Sequence, residues 1–271
     1  MPDNNTITIS RPTVGNPIPK PELPKFPTEI INLPSQGFPY NSSSPLSSGT
    51  LELKNLTAKE ENLLTNQTLI KNGTLLDKLI EAVIVDKSIK IDDMLMADFD
   101  GAIFSLRRMA YGDNYDASIT CARCGKENEI EIDLSVMKNK DINEELFVKG
   151  QNSFIFELPK SKKTITFKLL TRKDIYSIDK EIESLKKVSK QNVEMTTRLS
   201  YIITSVDGDT ENKSIRKFVN EELTAKDSLE LRKHIKLISP ALDTTFDFTC
   251  KHCEVERKQE VPMGINFFWP N

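Results

Sequence analysis

The four cysteines of this chain, which fall in two Cys-x-x-Cys pairs, constrain its fold more than any other feature. Cys121 and Cys124 lie in "SITCARCGKENEIEI", and Cys250 and Cys253 lie in "FDFTCKHCEVERKQEV". A two-residue gap lets both thiolates of one tight turn reach the same ion, and two such turns supply four sulfurs. Tetrahedral structural zinc takes four such ligands, at about 2.3 Å each. The sequence therefore predicts one structural Zn²⁺ per chain, held by these four cysteines.

Short runs typical of strands flank each cysteine pair. They are "DASIT" and "ENEIEID" around the first pair and "TFDF" and "KQEV" around the second. This pattern predicts two β-hairpin knuckles that face each other across the metal. Because residues 125–249 separate the pairs, the ion would join two remote segments. Closing so long a loop removes entropy from the unfolded chain and stabilises the fold.

Three other uses of the cysteines remain open at this point: a thioredoxin-like redox pair, disulfides, and four unrelated buried thiols. A redox pair should lie where a strand opens into a helix, whereas here a strand follows each pair. Disulfides are disfavoured in a reducing cytoplasm. A site with four protein ligands leaves no position for a catalytic water, and His252 between two ligands is expected to point away from the ion.

Several classes of function find little support in the sequence. It has two histidines and contains no Walker loop, dinucleotide fingerprint or G-x-S-x-G motif, so no enzyme activity is expected. The net charge of -3 gives no global attraction to nucleic acid or anionic membranes. Arg107-Arg108 is only a small basic cluster, and Asp98 and Asp100 are interpreted as solvated helix positions. No apolar run reaches the roughly 20 residues that cross a bilayer.

The N-terminus is rich in proline and lacks a signal peptide, which favours synthesis in the cytoplasm. Ten of the 14 prolines lie within the first 45 residues. The predicted division is therefore an extended, PPII-rich arm over residues 1–32 and a zinc-clipped domain over residues 33–271. An inserted subdomain near 141–225 is an alternative division of the second part. The arm could be a disordered tail or could lie along a neighbouring protein. In the second interpretation, the neighbouring protein is contacted by the apolar residues of the arm, Ile18, Leu23, Phe26 and Ile30.

The predicted fold class is α+β, with helices and short antiparallel β-hairpins around the two knuckles. Helices are predicted over residues 75–85, 93–110, 173–206 and 226–238, and a hairpin is predicted around residues 159–163. Three helix starts carry a Thr followed three residues later by an acidic residue, as in a capping box. These pairs are Thr57 with Glu60, Thr171 with Asp174, and Thr224 with Asp227.

Several motifs occur in a characteristic order. They are "LPSQGFPY" at 33–40, "GTLELKNLTAKEENLL" at 49–64, "LRRMAYGDNY" at 106–115, the first Cys-x-x-Cys with "EIEIDL", then "LRKHI", "SPALD", the second Cys-x-x-Cys and a terminal "FFWP". In this order the chain resembles the T4-type bacteriophage baseplate protein family, whose members belong to the tail baseplate hub of contractile-tailed phages. The resemblance covers roughly residues 31–270 and leaves out most of the arm.

The resemblance implies a non-enzymatic structural or assembly protein of the phage tail, made in the host cytoplasm and located in the virion baseplate. It implies contacts with other baseplate and tail proteins of the same phage, and no nucleic-acid, membrane or small-molecule partner. The four cysteines match the paired cysteines of the family. Whether the chain stays in the virion or only helps to build the baseplate is left open. The alternatives are a zinc-stabilised nucleic-acid-binding protein and a thiol oxidoreductase.

The apolar C-terminus "GINFFWPN" needs burial against some surface. In one interpretation, a partner protein is contacted by Phe267, Phe268 and Trp269. The other has these aromatic side chains pack into the core of the chain itself.

Overall fold

The computed structural model describes residues 27–188 and 192–268 of this chain. Of the sequence-predicted contact residues, Ile18, Leu23, Phe26 and Trp269 lie outside the described residues. Within these ranges the helices are α1 (Ala58–Leu64), α2 (Gln67–Lys71), α3 (Leu75–Val83), α4 (Met96–Tyr111), α5 (Arg172–Val188), α6 (Glu194–Ile202), α7 (Asn212–Lys217) and α8 (Ala225–Ile238). None of the described helices is both long enough and apolar enough to span a membrane.

Short strands alternate with the helices. They are β1 (Thr28–Asn32), β2 (Thr50–Lys54), β3 (Asn114–Thr120), β4 (Glu127–Asp133), β5 (Lys138–Asn139), β6 (Phe154–Glu157), β7 (Thr164–Phe167), β8 (Ile203–Val206), β9 (Leu242–Asp243), β10 (Thr245–Thr249) and β11 (Glu256–Glu260). All pairings in the described residues are antiparallel. They form the pairs β1-β2, β3-β4, β5-β9 and β10-β11 and the sheet β6-β7-β8. The predicted α+β fold with short antiparallel hairpins is confirmed.

The helix predicted over residues 173–206 is two helices, α5 and α6, and the prediction is wrong for its last four residues, which form a strand. Helix α5 ends at Val188, α6 ends at Ile202, and the chain continues at once into β8. Strand β8 pairs with β7 as the third strand of its sheet. The β-branched residues of "IITSV" fit this strand better than a helix. The pattern of charged residues before them does not show where the helix ends.

The three predicted helix starts all have side-chain caps. The carboxylate of Glu60 accepts the backbone N–H of Thr57 at 3.2 Å. The backbone N–H of Asp174 donates to Thr171 Oγ1 at 3.3 Å, and that of Asp227 donates to Thr224 Oγ1 at 3.2 Å. Each bond satisfies a backbone donor that the first turn of a helix leaves without an intrahelical partner.

Helix α4 receives the segment "LPSQGFPY" on its buried face. Ser35 N–H donates to Asp98 Oδ1 at 2.8 Å, and the Tyr40 hydroxyl donates to Asp98 Oδ2 at 2.5 Å. The Tyr40 hydroxyl also accepts the N–H of Leu95 at 2.8 Å. Burial raises the pKa of Asp98 above its ordinary value, although these hydrogen bonds oppose the rise. The interpretation of Asp98 as a solvated helix residue is therefore wrong, because the motif covers it completely.

Helix α4 also carries a buried arginine that contacts the C-terminal segment. Arg107 Nε donates to the carbonyl of Phe267 at 2.7 Å, and its other nitrogens donate to the carbonyls of Gly112 and Asn114 at 3.1 and 3.2 Å. Its guanidinium lies 5.6 Å from the ring centre of Tyr115. Only 2% of Arg107 is exposed, so this half of the Arg107-Arg108 cluster joins elements of the fold and does not face a nucleic acid.

Candidate metal centre

The first cysteine pair lies at the tip of the β3-β4 hairpin. The last strand pair before the tip is Thr120 with Glu127. Beyond it, Cys121 N–H donates to Lys126 O at 2.9 Å and Gly125 N–H donates to Cys121 O at 2.8 Å. Gly125 has a φ of 70°, a left-handed conformation that glycine adopts without strain. The turn thus directs both sulfurs of the pair to the same side.

The second cysteine pair repeats this geometry at the tip of the β10-β11 hairpin. Cys250 N–H donates to Val255 O at 3.0 Å, and Glu254 N–H donates to Cys250 O at 2.9 Å. Glu254 occupies the position of Gly125 and has a φ of 55°. The same turn therefore forms here with a side chain in a left-handed conformation, which costs free energy.

The two tips bring the four sulfurs together. All four Sγ atoms of Cys121, Cys124, Cys250 and Cys253 lie within 4.8 Å of one another. The Sγ atoms of Cys121 and Cys253 are 3.7 Å apart, as are those of Cys124 and Cys250. A tetrahedron with ligands at about 2.3 Å from its centre has edges of about 3.8 Å. These separations fit a metal ion and are far longer than the roughly 2.05 Å of a disulfide bond.

The surroundings of the sulfurs favour thiolates only in part. Burial raises the pKa of Cys250, but hydrogen bonds from the N–H groups of His252 and Cys253 lower it more, to about 6. For Cys253 a hydrogen bond from Val255 N–H lowers the pKa, but burial and the neighbouring sulfurs raise it to about 12. Four thiolates this close repel one another unless a cation lies among them. The donor set therefore suits a thiophilic divalent cation.

A buried amide joins the two knuckles directly. Asn128 is 1% exposed, and its Oδ1 accepts the N–H of Lys251 at 2.8 Å. Its Nδ2 donates to the carbonyls of Lys126 and Ile119 at 3.1 and 3.4 Å. One side chain of β4 thus fixes the turn of its own hairpin and holds the turn of the other. Such outer contacts orient metal ligands.

His252 is not one of the clustered ligands. Its Nε2 lies 3.1 Å from the backbone oxygen of Glu127, so the ring contacts the first hairpin and adds a further link between the knuckles. Lys251 makes another link, because its Nζ donates to the carbonyl of Glu129 at 2.5 Å. The expectation that His252 points away from the ion agrees with this placement.

The structure separates the predicted contact residues. Ile30 lies in β1 and is 67% exposed. Phe267 and Phe268 are each 0% exposed, so the expectation that they contact a partner is corrected. Phe267 packs edge-on against Tyr115 with ring centres 5.0 Å apart, and its carbonyl accepts from Arg107. The ring of Phe267 is therefore packed and its carbonyl is hydrogen-bonded within the chain. This is the alternative in which the aromatic side chains pack into the core of the chain itself.

Sequence reasoning missed Asn128 and Arg107. Asn128 stands in the alternating run "ENEIEI" at a position that faces inward, which was a weak signal of a buried polar contact. Arg107 gave no such signal, because its three acceptors belong to backbone groups as far away as Phe267.

Comparison with models of known protein families identifies a match. The model of a family described as T4 bacteriophage base plate protein matches residues 38–269, which include both cysteine pairs and helix α4. Searches of curated proteins and of solved structures found no match.

Proposed function

The chain belongs to the T4 bacteriophage base plate protein family, and on this premise we propose that it is a non-enzymatic structural or assembly protein of the baseplate hub of a contractile-tailed phage. The observation that carries this proposal is the family match over residues 38–269. Membership implies a location in the phage tail and contacts with other tail proteins. We propose that the chain is made in the host cytoplasm and acts through these protein contacts alone.

We further propose that Cys121, Cys124, Cys250 and Cys253 hold one structural Zn²⁺. Two observations support this zinc site. The four Sγ atoms lie within 4.8 Å of one another, and backbone N–H groups of the second knuckle donate to the sulfur of Cys250. Zinc bound by four thiolates has no free position for substrate or water, so its contribution is structural. Asn128, Lys251 and His252 make hydrogen bonds between the two hairpins and so align the tips on which the sulfurs lie.

A metal ion bound by the four cysteines would crosslink two segments that are far apart in the sequence and would restrict the chain between them. A crosslink between Cys124 and Cys250 encloses residues 125–249, which include β4 to β10 and α5 to α8. By analogy with disulfides, closing a loop of about 100 residues contributes on the order of 4–5 kcal/mol. A protein that neighbours must hold in a contracting machine benefits from such a fixed shape.

We propose that the arm provides contacts to neighbouring baseplate proteins, through Ile18, Leu23 and Phe26 and through the exposed Ile30. Trp269 is kept in this proposal, and Phe267 and Phe268 are removed from it because they are buried. The division into an arm at 1–32 and a domain at 33–271 with an inserted part near 141–225 also remains a proposal. Residues 28–32 form strand β1, which pairs with β2. The proposed arm would therefore end before Thr28.

The decisive experiment separates a virion component from a transient factor. Purified phage particles, isolated tails and unfinished baseplates are fractionated, and this chain is quantified in each by mass spectrometry. A fixed copy number in tails is the result expected for a structural protein, and presence only in unfinished baseplates makes it an assembly factor. Absence from all three overturns the proposed role.

Metal analysis of the purified chain tests the site and its rivals together. We expect one zinc per chain, and four thiols that react with a thiol reagent only after chelation. Reactive thiols in the presence of zinc would favour an oxidoreductase. Salt-dependent binding of DNA or RNA would favour the nucleic-acid alternative.

A further inference from the structure

The outer edge of strand β1 has unpaired main-chain groups within the described residues, and we propose that residues 6–10 of the same chain, "TITIS", add to this edge as a third strand. The proposal rests on the register of the β1-β2 pair and on the sequence before β1. It does not depend on the proposed function, and either proposal can fail without the other.

The register shows which groups of β1 face outward. Leu33 N–H donates to Gly49 O at 2.9 Å, and Asn55 N–H donates to Pro27 O at 3.1 Å. Both pairs continue the antiparallel register in which Ile31 faces Leu51. Because hydrogen-bonded and non-hydrogen-bonded pairs alternate in such a ladder, residues 27, 29, 31 and 33 bond to β2. Residues 28, 30 and 32 therefore direct their N–H and C=O groups to the opposite edge.

That opposite edge is the open side of this small sheet. The far side of β2 is already covered, since Val85 N–H donates to Glu52 O at 3.1 Å. On the open side of β1, the Asn32 carbonyl accepts from Asn139 Nδ2 at 3.2 Å. The backbone groups of Thr28 and Ile30 have no bonding partner in residues 27–188 and 192–268. Unpaired strand edges of this kind are templates for another strand.

A groove of about 390 Å³ runs along this edge. One side is β1, with residues 29–32, and the other side is the end of helix α4, with Ser105, Arg108 and Met109. A slot between a strand edge and a helix accommodates one extended chain, as in β-augmentation.

Residues 6–10 have the chemistry for this slot. Thr6, Ile7, Thr8 and Ile9 are all β-branched, the class most enriched in strands, and no proline occurs from Asp3 to Arg11. Alternation puts Ile7 and Ile9 on one face, where they would extend the buried face that contains Ile31. The two threonines and Ser10 would then lie on the face of the exposed Ile30.

The length of chain between the two strands allows the pairing. Residues 11–27 span up to about 50 Å at 3.1 Å per residue in a PPII conformation, and a strand of five residues is about 17 Å long. A tether of this length gives a millimolar effective concentration, which favours the segment of the same chain over that of a second copy. Residues 11–27 are therefore long enough to connect residues 6–10 with β1.

Amide hydrogen exchange of the full-length, metal-loaded chain tests this proposal residue by residue. We expect the amides of Thr28 and Ile30 to exchange at least tenfold more slowly than solvent-exposed amides. The substitution Thr8→Pro removes a donor from the added strand and should return these two amides to fast exchange. The amides of Glu29 and Ile31 are internal controls, because they bond to β2 and should stay protected. Val14→Pro is the matched control variant.

Three results would overturn the proposal. Fast exchange of Thr28 and Ile30 in the unsubstituted chain would show that nothing covers the edge. Equal protection in the unsubstituted chain and in Thr8→Pro would show that another segment covers it. Protection that rises with protein concentration would assign the added strand to a second copy.

Discussion

Two residues at equivalent positions of the knuckles show how a turn imposes a backbone conformation on its sequence. Gly125 and Glu254 each follow the second cysteine of a pair, and both have positive φ values, 70° and 55°. A Cβ added at Gly125 would meet nothing within 4 Å, so the glycine serves the dihedral angle and not a close contact. Glu254 bears the conformational cost that Gly125 avoids.

We expect Glu254→Gly to stabilise the metal-loaded chain by about 0.5–1 kcal/mol, because relief of the left-handed strain exceeds the entropy that glycine adds to the unfolded state. Gly125→Ala should destabilise it by about 1 kcal/mol through the same dihedral angle. Denaturant unfolding with zinc in excess measures both. A Glu254→Gly chain that is no more stable would contradict the interpretation of the turn.

A second residue-level prediction concerns acid stability. Glu60 at the start of α1 has a side chain that is 3% exposed and pairs with Lys54 at 2.8 Å. Burial raises its pKa, but bonds from Lys54 and Thr57 lower it more, to about 2. A lowered folded-state pKa contributes stability that is present above about pH 4.5 and is lost as the pH falls toward 2.

Glu60→Gln should therefore cost about 2–3 kcal/mol at pH 7 and little at pH 2, since a shift of one pKa unit corresponds to about 1.4 kcal/mol. Urea midpoints measured from pH 2 to pH 7 test this difference. Glu61→Gln, in the same turn but exposed, is the control and should change the pH profile little. An equal loss at both pH values would mean that the charge of Glu60 is not the cause.

At the scale of elements, helix α4 organises the fold because neighbouring segments need particular positions on it. Gly101 lies three residues after Asp98, so both are on the face that receives "LPSQGFPY". A Cβ at Gly101 would come within 2.7 Å of Pro34 Cδ. Arg107 then holds the C-terminal turn two helical turns further on.

We expect Gly101→Ala to destabilise the chain by about 1–3 kcal/mol, although alanine is the better helix former by about 1 kcal/mol. The ring of Pro34 is rigid and is held by the Ser35–Asp98 bond, so it cannot move away easily. Thermal unfolding measures the loss. Ser105→Ala on the same helix is the control, and unchanged stability of Gly101→Ala would contradict the close approach of Pro34.

At the scale of the whole molecule, the two hairpins meet through polar contacts and through the four sulfurs, and β11 itself is "ERKQE" with no apolar residue. The C-terminal segment that follows β11 carries Phe267 into the core. Loss of a metal bound by the four cysteines would therefore remove a link between the ends of a long enclosed segment, and its effect would not be confined to one loop.

We predict that a chelator lowers the unfolding temperature of the chain by at least 10 °C, and that the midpoint rises with free zinc concentration as for any ligand of the folded state. Differential scanning calorimetry with buffered zinc measures this dependence. The double variant Cys121→Ser, Cys250→Ser should be insensitive to both chelator and zinc. A midpoint of the natural chain that does not change with zinc would contradict a structural metal.

The sequence alone determined the features that depend on neighbours within a few residues. The spacing of the cysteines, the strands that flank them, the three threonine caps and the α+β class were all predictable from local patterns. The pairing of the two knuckles was predictable only from the hypothesis that four cysteine sulfurs share one metal ion.

Tertiary structure alone decided which hydrogen-bond partners the buried polar groups have and that "ITSV" at 203–206 forms a strand. Asp98 and Arg107 look like surface residues in sequence, and they are buried because segments far along the chain supply hydrogen-bond partners. The alternation around Asn128 indicates an inward position but not its partner Lys251. Phe267 likewise packs against Phe104 of α4 and Tyr115 of β3, and Phe268 packs against Phe267. Local spacing can indicate which face of an element is buried, but it does not identify the distant residues that cover that face.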